Sequence, residues 1–217
     1  MKILTVSDKV EQSFLKENFL RKKCQGINLI LACGDLPPYY LEYLVNSLNV
    51  PLYYVPGNHD DIYLQSPSAN DLSVKGCKNI DQKLITFNDL IIGGLAGAFQ
   101  YKKGKYVYTE AQMHRKVLSM APHLLVKKIK YKRAIDILIT HAPPLGINDE
   151  KDLAHLGFKE FLAFMKKYSP AYLIHGHTNR HGGEGEKISS YHSTWVINTN
   201  PYRVLEIDDA NLRRHHN

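Results

Sequence analysis

Pro51-Leu52-Tyr53-Tyr54-Val55-Pro56-Gly57-Asn58-His59-Asp60 is the stretch on which the fold turns. An apolar, aromatic run stops at a glycine and then presents an amide, an imidazole and a carboxylate in succession. Runs of this kind, bounded by Gly and Pro, read as strands. In open α/β sheets, ligands gather beyond the carboxyl ends of the strands. Other strand ends therefore decide whether a site exists, and four of them carry suitable groups. Ile3 to Val6 runs into Ser7-Asp8, and Asn28 to Ala32 into Cys33-Gly34-Asp35. Ile135 to Ile139 runs into Thr140-His141, and Ala171 to Ile174 into His175-Gly176-His177.

The segments between these runs read as helices in the first third of the chain. Val10 to Leu20 places Val10, Phe14 and later leucines at helical spacing. Tyr40 to Leu48, delayed by Pro37-Pro38, sets Tyr40, Leu41, Leu44, Val45 and Leu48 on one face. Strand, helix, strand, helix, strand is the order of a parallel sheet covered by helices. Farther on, Gln65 to Asn79 reads as a long loop. Lys83 to Phe87 and Leu90 to Leu95 form a hairpin across Asn88-Asp89. Gly97 to Thr109 reads as a loop over a sheet edge. Two helices, Glu110 to Met120 and Pro122 to Lys132, and then an amphipathic helix from Phe158 to Tyr168 are expected. Lys187 to Asn198 and Tyr202 to Ile207 read as antiparallel strands around the Asn200-Pro201 turn. With no repeat, low-complexity segment or linker, one domain over residues 1–217 is expected.

At 217 residues, with 44% hydrophobic and 23% charged, the chain can bury a sizeable core and has an ordinary globular composition. No apolar run approaches the length of a membrane span. The opening Met1-Lys2-Ile3-Leu4-Thr5-Val6 reads as a strand rather than a secretory leader, so a cytoplasmic protein is expected. Cys24, Cys33 and Cys77 are odd in number and lack CxxC spacing, which suits small buried apolar residues rather than a disulfide framework or zinc knuckle. The formal charge of +7 favours anionic partners. The interleaved Tyr and Lys of Phe99 to Tyr108 could stack and neutralise a nucleic-acid strand, although a solvated loop accounts for them equally well and is preferred.

Each strand-end residue has an ordinary structural use. Asp8 or Asp35 can cap a helix, Asn58 can make a turn, and His141 or His177 can be hydrogen-bonded core histidines. Their joint occurrence on successive strand ends is not explained by capping. Oxygen and imidazole donors without thiolates suit manganese, iron or zinc in a reactive site rather than a structural zinc cluster.

The set Gly34-Asp35, Gly57-Asn58-His59-Asp60, Thr140-His141 and Gly176-His177 resembles the calcineurin-like metallophosphoesterase family. The likeness runs from Asp8 to Asn179, and Asp152 to His177, with His155-Leu156-Gly157-Phe158, resembles its Icc-like branch. The resemblance implies an α/β fold of the α+β sandwich kind, a four-layer αββα arrangement with mixed sheets and a dimetal site at the strand ends. It implies that Asp35 bridges two divalent metals and that Asn58, His141 and His177 complete the second. A metal-activated hydroxide would then attack a phosphomonoester or phosphodiester, with His59, oriented by Asp60, serving the leaving oxygen. A phosphate-ester small molecule is the implied partner.

Two positions depart from the family pattern. Asp-x-His is here Asp8-Lys9-Val10, and Gly-His-x-His is here Gly176-His177-Thr178-Asn179. Both missing imidazoles belong to the first metal, which is left with Asp8, Asp35 and the amide of Asn179. An oxygen-only set favours harder cations such as manganese or magnesium and binds them weakly, so one firm and one weak site are expected. His181 lies two residues, about 6–7 Å of extended chain, beyond Asn179, and Glu11 poses a similar doubt, so neither is a ready substitute. His175 reads as a core or supporting group. A non-catalytic scaffold that binds a protein partner is the competing expectation.

Overall fold

The computed structural model describes residues 1–60, 74–178 and 188–207. Its order is β1 (Lys2–Val6), α1 (Glu17–Lys23), β2 (Ile27–Ala32), α2 (Pro38–Leu48), β3 (Leu52–Tyr54), β4 (Cys77–Asn79), β5 (Leu84–Phe87) and β6 (Leu90–Leu95). Then come β7 (Ala98–Phe99), β8 (Val107–Tyr108), α3 (Glu110–Tyr131), β9 (Ile137–Thr140), α4 (Lys159–Tyr168), β10 (Tyr172–His175), β11 (Ile188–Tyr191), β12 (Thr194–Asn198) and β13 (Tyr202–Glu206). One sheet has the order β13-β1-β2-β3-β4 and the other β11-β12-β10-β9-β6-β5. In the first, β1 to β4 are parallel and β13 is antiparallel. In the second, β6, β9, β10 and β12 are parallel between antiparallel edges. Both sheets are therefore mixed.

Burial explains why the central runs are continuously apolar. Successive side chains of a strand point to opposite faces, and here both faces are covered. On β1 and β2, Ile3, Leu29 and Leu31 meet Ile92, Ile137, Ile139 and Ile174 between the sheets. Their neighbours Leu4, Val6 and Ile30 face outward onto Phe14, Leu20, Tyr40 and Leu44. On the far side, Leu138 and Leu173 pack beneath Met113, Met120 and Leu124 of α3 and Phe161 and Phe164 of α4. Helix, sheet, sheet, helix is the four-layer sandwich.

Several elements differ from their sequence expectation. The segment from Val10 is not one helix: a 3-10 turn, Gln12–Leu15, ends at extended Lys16 before α1 starts. Glu11 caps that turn by accepting from the Ser13 amide at 3.1 Å, so its carboxylate is engaged there and not at the strand-end site. The expected loop up to Asn79 contains β4, which extends the first sheet; residues 65–73 of that loop lie outside the described residues. The expected loop from Gly97 contains the short parallel pair β7 and β8. Pro122 does not divide α3. It stands on the exposed face, while Met113 and Val117 before it and Leu124 after it pack on the second sheet. Asn200-Pro201 is not a hairpin turn either. β12 joins the second sheet and β13 pairs with β1 in the first, so this turn carries the chain between sheets.

The cysteines are free; Cys24 and Cys33 are buried, and Cys77 is partly so. No helix among the described residues is long and apolar enough to cross a membrane.

Candidate metal centre

The carboxyl ends of β1, β2, β3, β9 and β10 bring Asp8, Asp35, Asn58, His59, His141 and His177 to one rim. Asp8, Asp35 and His177 all have left-handed backbone, with φ of 62°, 58° and 66°. Such geometry costs a non-glycine residue roughly 1–2 kcal/mol. Its recurrence at three strand ends turns each chain sharply where a side chain must enter the site.

Glycines make the close approach possible. A Cβ on Gly34 would lie 2.5 Å from the Gly57 nitrogen, and one on Gly57 would lie 2.7 Å from His141 Cε1. The two turns are tied by Asp60, whose Oδ2 accepts from the amides of Gly57 (2.7 Å) and Asp35 (3.1 Å). Burial, with the Asp35 charge nearby, raises the Asp60 carboxyl to about 7 against those two amides. Among the described residues its Oδ1 has no partner. Among the described residues Asp60 thus does not hold the His59 ring, which the family resemblance implies it would; it holds the loops on either side. His59 is exposed, and its backbone N–H donates to Asp35 Oδ1 at 2.8 Å.

His141 is fully buried at the centre of the cluster. Its Nδ1–H donates to the Cys33 carbonyl at 2.7 Å, which aims Nε2 at Asn58 Oδ1 (2.8 Å) and Asp35 Oδ2 (3.3 Å). Burial opposes the imidazolium, but the Asp35 carboxylate outweighs it and holds the ring up at about 9. Burial likewise opposes charge on Asp35, yet His141 and the amide of His59 hold that carboxyl down at about 2. His177 differs. Burial and the positive His141 push it down to about 3, so it is neutral. Its Nε2–H donates to the Ala154 carbonyl at 2.6 Å, leaving Nδ1 with the lone pair.

These residues fit a divalent cation. One ligand atom from each of Asp35, His141 and His177 lies within 4.8 Å of the others. Two donors on one cation, at right angles and about 2.1 Å from it, are about 3 Å apart, close to the His141 separations from Asn58 and Asp35. Nitrogen and oxygen donors with no thiolate suit manganese, iron or zinc.

Asp8 stands apart from that group. Both of its oxygens accept from the His177 backbone N–H, at 3.0 Å each, and burial raises its carboxyl. Gly176 lets it in, since a Cβ there would lie 2.5 Å from Asp8 Oδ2. Asn179 and His181 lie outside the described residues. His175 is a buried core group, its Nδ1 on the Gly176 carbonyl at 2.9 Å.

Two contributors went unnoticed in the sequence. The Tyr101 hydroxyl accepts from Asn58 Nδ2 at 3.0 Å, which fixes the amide with Oδ1 toward His141. Nothing in the spacing of Tyr101, within a loop rich in Tyr and Lys, signals this. The Ala154 carbonyl is backbone and has no sequence signature. It comes from a 3-10 turn, Leu153–His155, capped by Asp152, and the His155 ring lies 5.1 Å from that of His177.

The family profile of the calcineurin-like phosphoesterases matches residues 1–181. The chain belongs to that family. The chain is 23% identical over 216 residues to a lariat debranching enzyme of Arabidopsis thaliana, with 73% of this chain covered and 50% of that enzyme. It therefore spans about half the length of that relative. Among solved structures, TT1561 of Thermus thermophilus shares the fold, with a TM-score of 0.63 at 18% identity, covering 99% of this chain and 95% of the other. A Vps29 mutant from Entamoeba histolytica superposes with a TM-score of 0.46 at 15% identity, covering 96% and 87%. The family uses divalent metals.

Proposed function

We propose that this phosphoesterase hydrolyses a phosphomonoester or phosphodiester with a divalent cation held by Asp35, Asn58, His141 and His177. The observation that carries the reading is the convergence of these four side chains, three of them buried and Asp35 nearly so, beside the exposed His59. A cation bound there supplies Lewis acidity and lowers the pKa of water. The chain's own groups do the rest. Asp35 contributes negative charge and anchors the His59 amide. Asn58 and His141 are aimed by Tyr101 and by the Cys33 carbonyl. His59, at the open side, would donate a proton to the leaving oxygen. The net charge of +7 suits an anionic substrate, and similarity to an enzyme named for debranching lariats supports catalysis. Manganese and a cytoplasmic setting are parts of the same proposal.

The test is hydrolysis of bis(p-nitrophenyl) phosphate and p-nitrophenyl phosphate, with and without manganese, by the wild type, His59→Ala and His141→Ala. Metal-dependent turnover lost in both variants is expected. The scaffold reading rests on Lys9-Val10 and Thr178-Asn179, where the first metal lacks its imidazoles. Manganese binding without turnover of either ester would favour it.

A further inference from the structure

Helix α3 carries an apolar ridge that none of the described residues covers. Leu118, Leu125, Val126 and Ile129 are 49%, 58%, 61% and 67% exposed. At 100° per residue, Leu118, Pro122, Leu125 and Ile129 fall on one stripe, roughly 110–170° around the helix from Val117, Leu124, Met113 and Met120, which are buried on the second sheet. The stripe thus faces away from the sheet as an exposed edge about 16 Å long.

Along α3 after Glu110 the charge has one sign, and the acid beside its first turns, Glu160 of α4, is paired with His114 at 2.9 Å. From Ala111 to Ile135 there is no acidic residue, while Arg115, Lys116, Lys127, Lys128, Lys130, Lys132 and Arg133 are basic. Lys116 is buried against Asp81, and Arg133 is paired with Asp136. Lys128 lies on one flank of the ridge, and Arg115 and Lys130 on the other. All three are exposed.

We propose that this ridge docks on an anionic lipid surface. Apolar side chains along the exposed line of a helix, with cations on both flanks, are the pattern of a helix lying in the plane of a bilayer interface. The Lys stems extend past the apolar strip and place their ammonium groups among the head groups. A bilayer meets both flanks at once. A second copy would bring the same cations face to face, which opposes pairing. A partner protein would need a groove with acid on both rims to match this edge.

The experiment is co-sedimentation of the full chain with vesicles of phosphatidylcholine alone and of phosphatidylcholine mixed with phosphatidylserine. It needs no catalysis, so its outcome is independent of the proposed hydrolysis. Association with the mixed vesicles only, weakening as salt rises, is expected. Leu125→Asp combined with Ile129→Asp should abolish it, and Lys128→Gln or Lys130→Gln should each weaken it about five-fold. Circular dichroism and thermal melts of these surface variants should match the wild type. Equal partition of wild type and double variant overturns the proposal, as does no association with anionic vesicles. So does a concentration-dependent dimer that the double variant abolishes while vesicles remain unbound.

Discussion

The carboxylate of Asp8 receives the backbone N–H of His177 on both oxygens, at 3.0 Å each. An aspartate at the end of the first strand therefore fixes the end of β10, and with it the ring of His177. Supporting groups of this kind typically change metal affinity 10- to 100-fold. For Asp8→Ala we expect manganese still bound at one ion per chain, about ten-fold more weakly, in a calorimetric titration. His141→Ala should remove the site. If Asp8 instead holds a second cation, its loss will lower the stoichiometry and leave the remaining affinity unchanged.

In the proposed site, His141 would set the pH dependence of that binding. Its ring is held up at about 9 by Asp35, so below that pH a proton occupies the Nε2 that a cation would need. Binding must release the proton. Affinity should rise by about ten-fold per pH unit from about pH 6 to about pH 8, with close to one proton released per ion. Titration in buffers of different ionisation enthalpy measures the release. An affinity flat across this range would show that the ring is already neutral.

The strand ends were legible from sequence because a doubly covered parallel strand must be apolar throughout, and a run such as Leu29-Ile30-Leu31-Ala32 can stop only where polar groups emerge. Asp35, Asn58, His141 and His177 are found where such runs end. The route from β12 to β13 was not legible. Two apolar runs flanking Asn200-Pro201 look like a hairpin whether they pair with each other or with two different sheets, since partner choice is not written in local pattern. The unbroken α3 is hidden for a related reason: proline costs a helix interior roughly 3 kcal/mol, and what holds the helix through Pro122 is packing on the second sheet by Met113 and Val117 before it and Leu124 after it, which local pattern does not show. The pairing of Asp60 with His59 is what the family resemblance implies. The acceptor of Asp60 is used on amides that only the folded loops bring within reach.

Lys116 and Asp81 make a stability prediction. Lys116 Nζ is buried, 3.0 Å from Asp81 Oδ2 and 4.1 Å from the centre of the Tyr108 ring, and burial lowers its pKa despite the carboxylate. Asp81 Oδ1 also accepts from the Ala96 amide at 2.8 Å. Removing one partner of a buried pair leaves an uncompensated charge, at a cost of about 3–5 kcal/mol, whereas replacing the pair with apolar groups is often neutral. Asp81→Ala should therefore lower the denaturation midpoint sharply. Lys116→Met should cost less, because its carboxylate neighbour keeps the Ala96 amide and partial access to water. Equal losses from the two variants would show that the ion pair is not the main term.

Gly57 separates fold from site most cleanly. Its backbone φ is not in the left-handed region, so alanine is sterically permitted by the chain itself. The obstacle is the site: the added methyl would contact Asp35 Oδ1, lie 2.6 Å from Asp35 Cγ and 2.7 Å from His141 Cε1. Neither neighbour can yield cheaply. Asp35 is anchored by the His59 amide, and His141 is locked to the Cys33 carbonyl inside the core. Overpacking of this kind costs about 1–3 kcal/mol, which a domain of this size can absorb while the carboxylate and imidazole are forced apart. Gly57→Ala should then fold, with a circular dichroism spectrum like that of the wild type and a modestly lower melting temperature, yet lose manganese binding by at least about ten-fold. Retention of full metal affinity in the folded variant would mean that Asp35 and His141 do not share the cation.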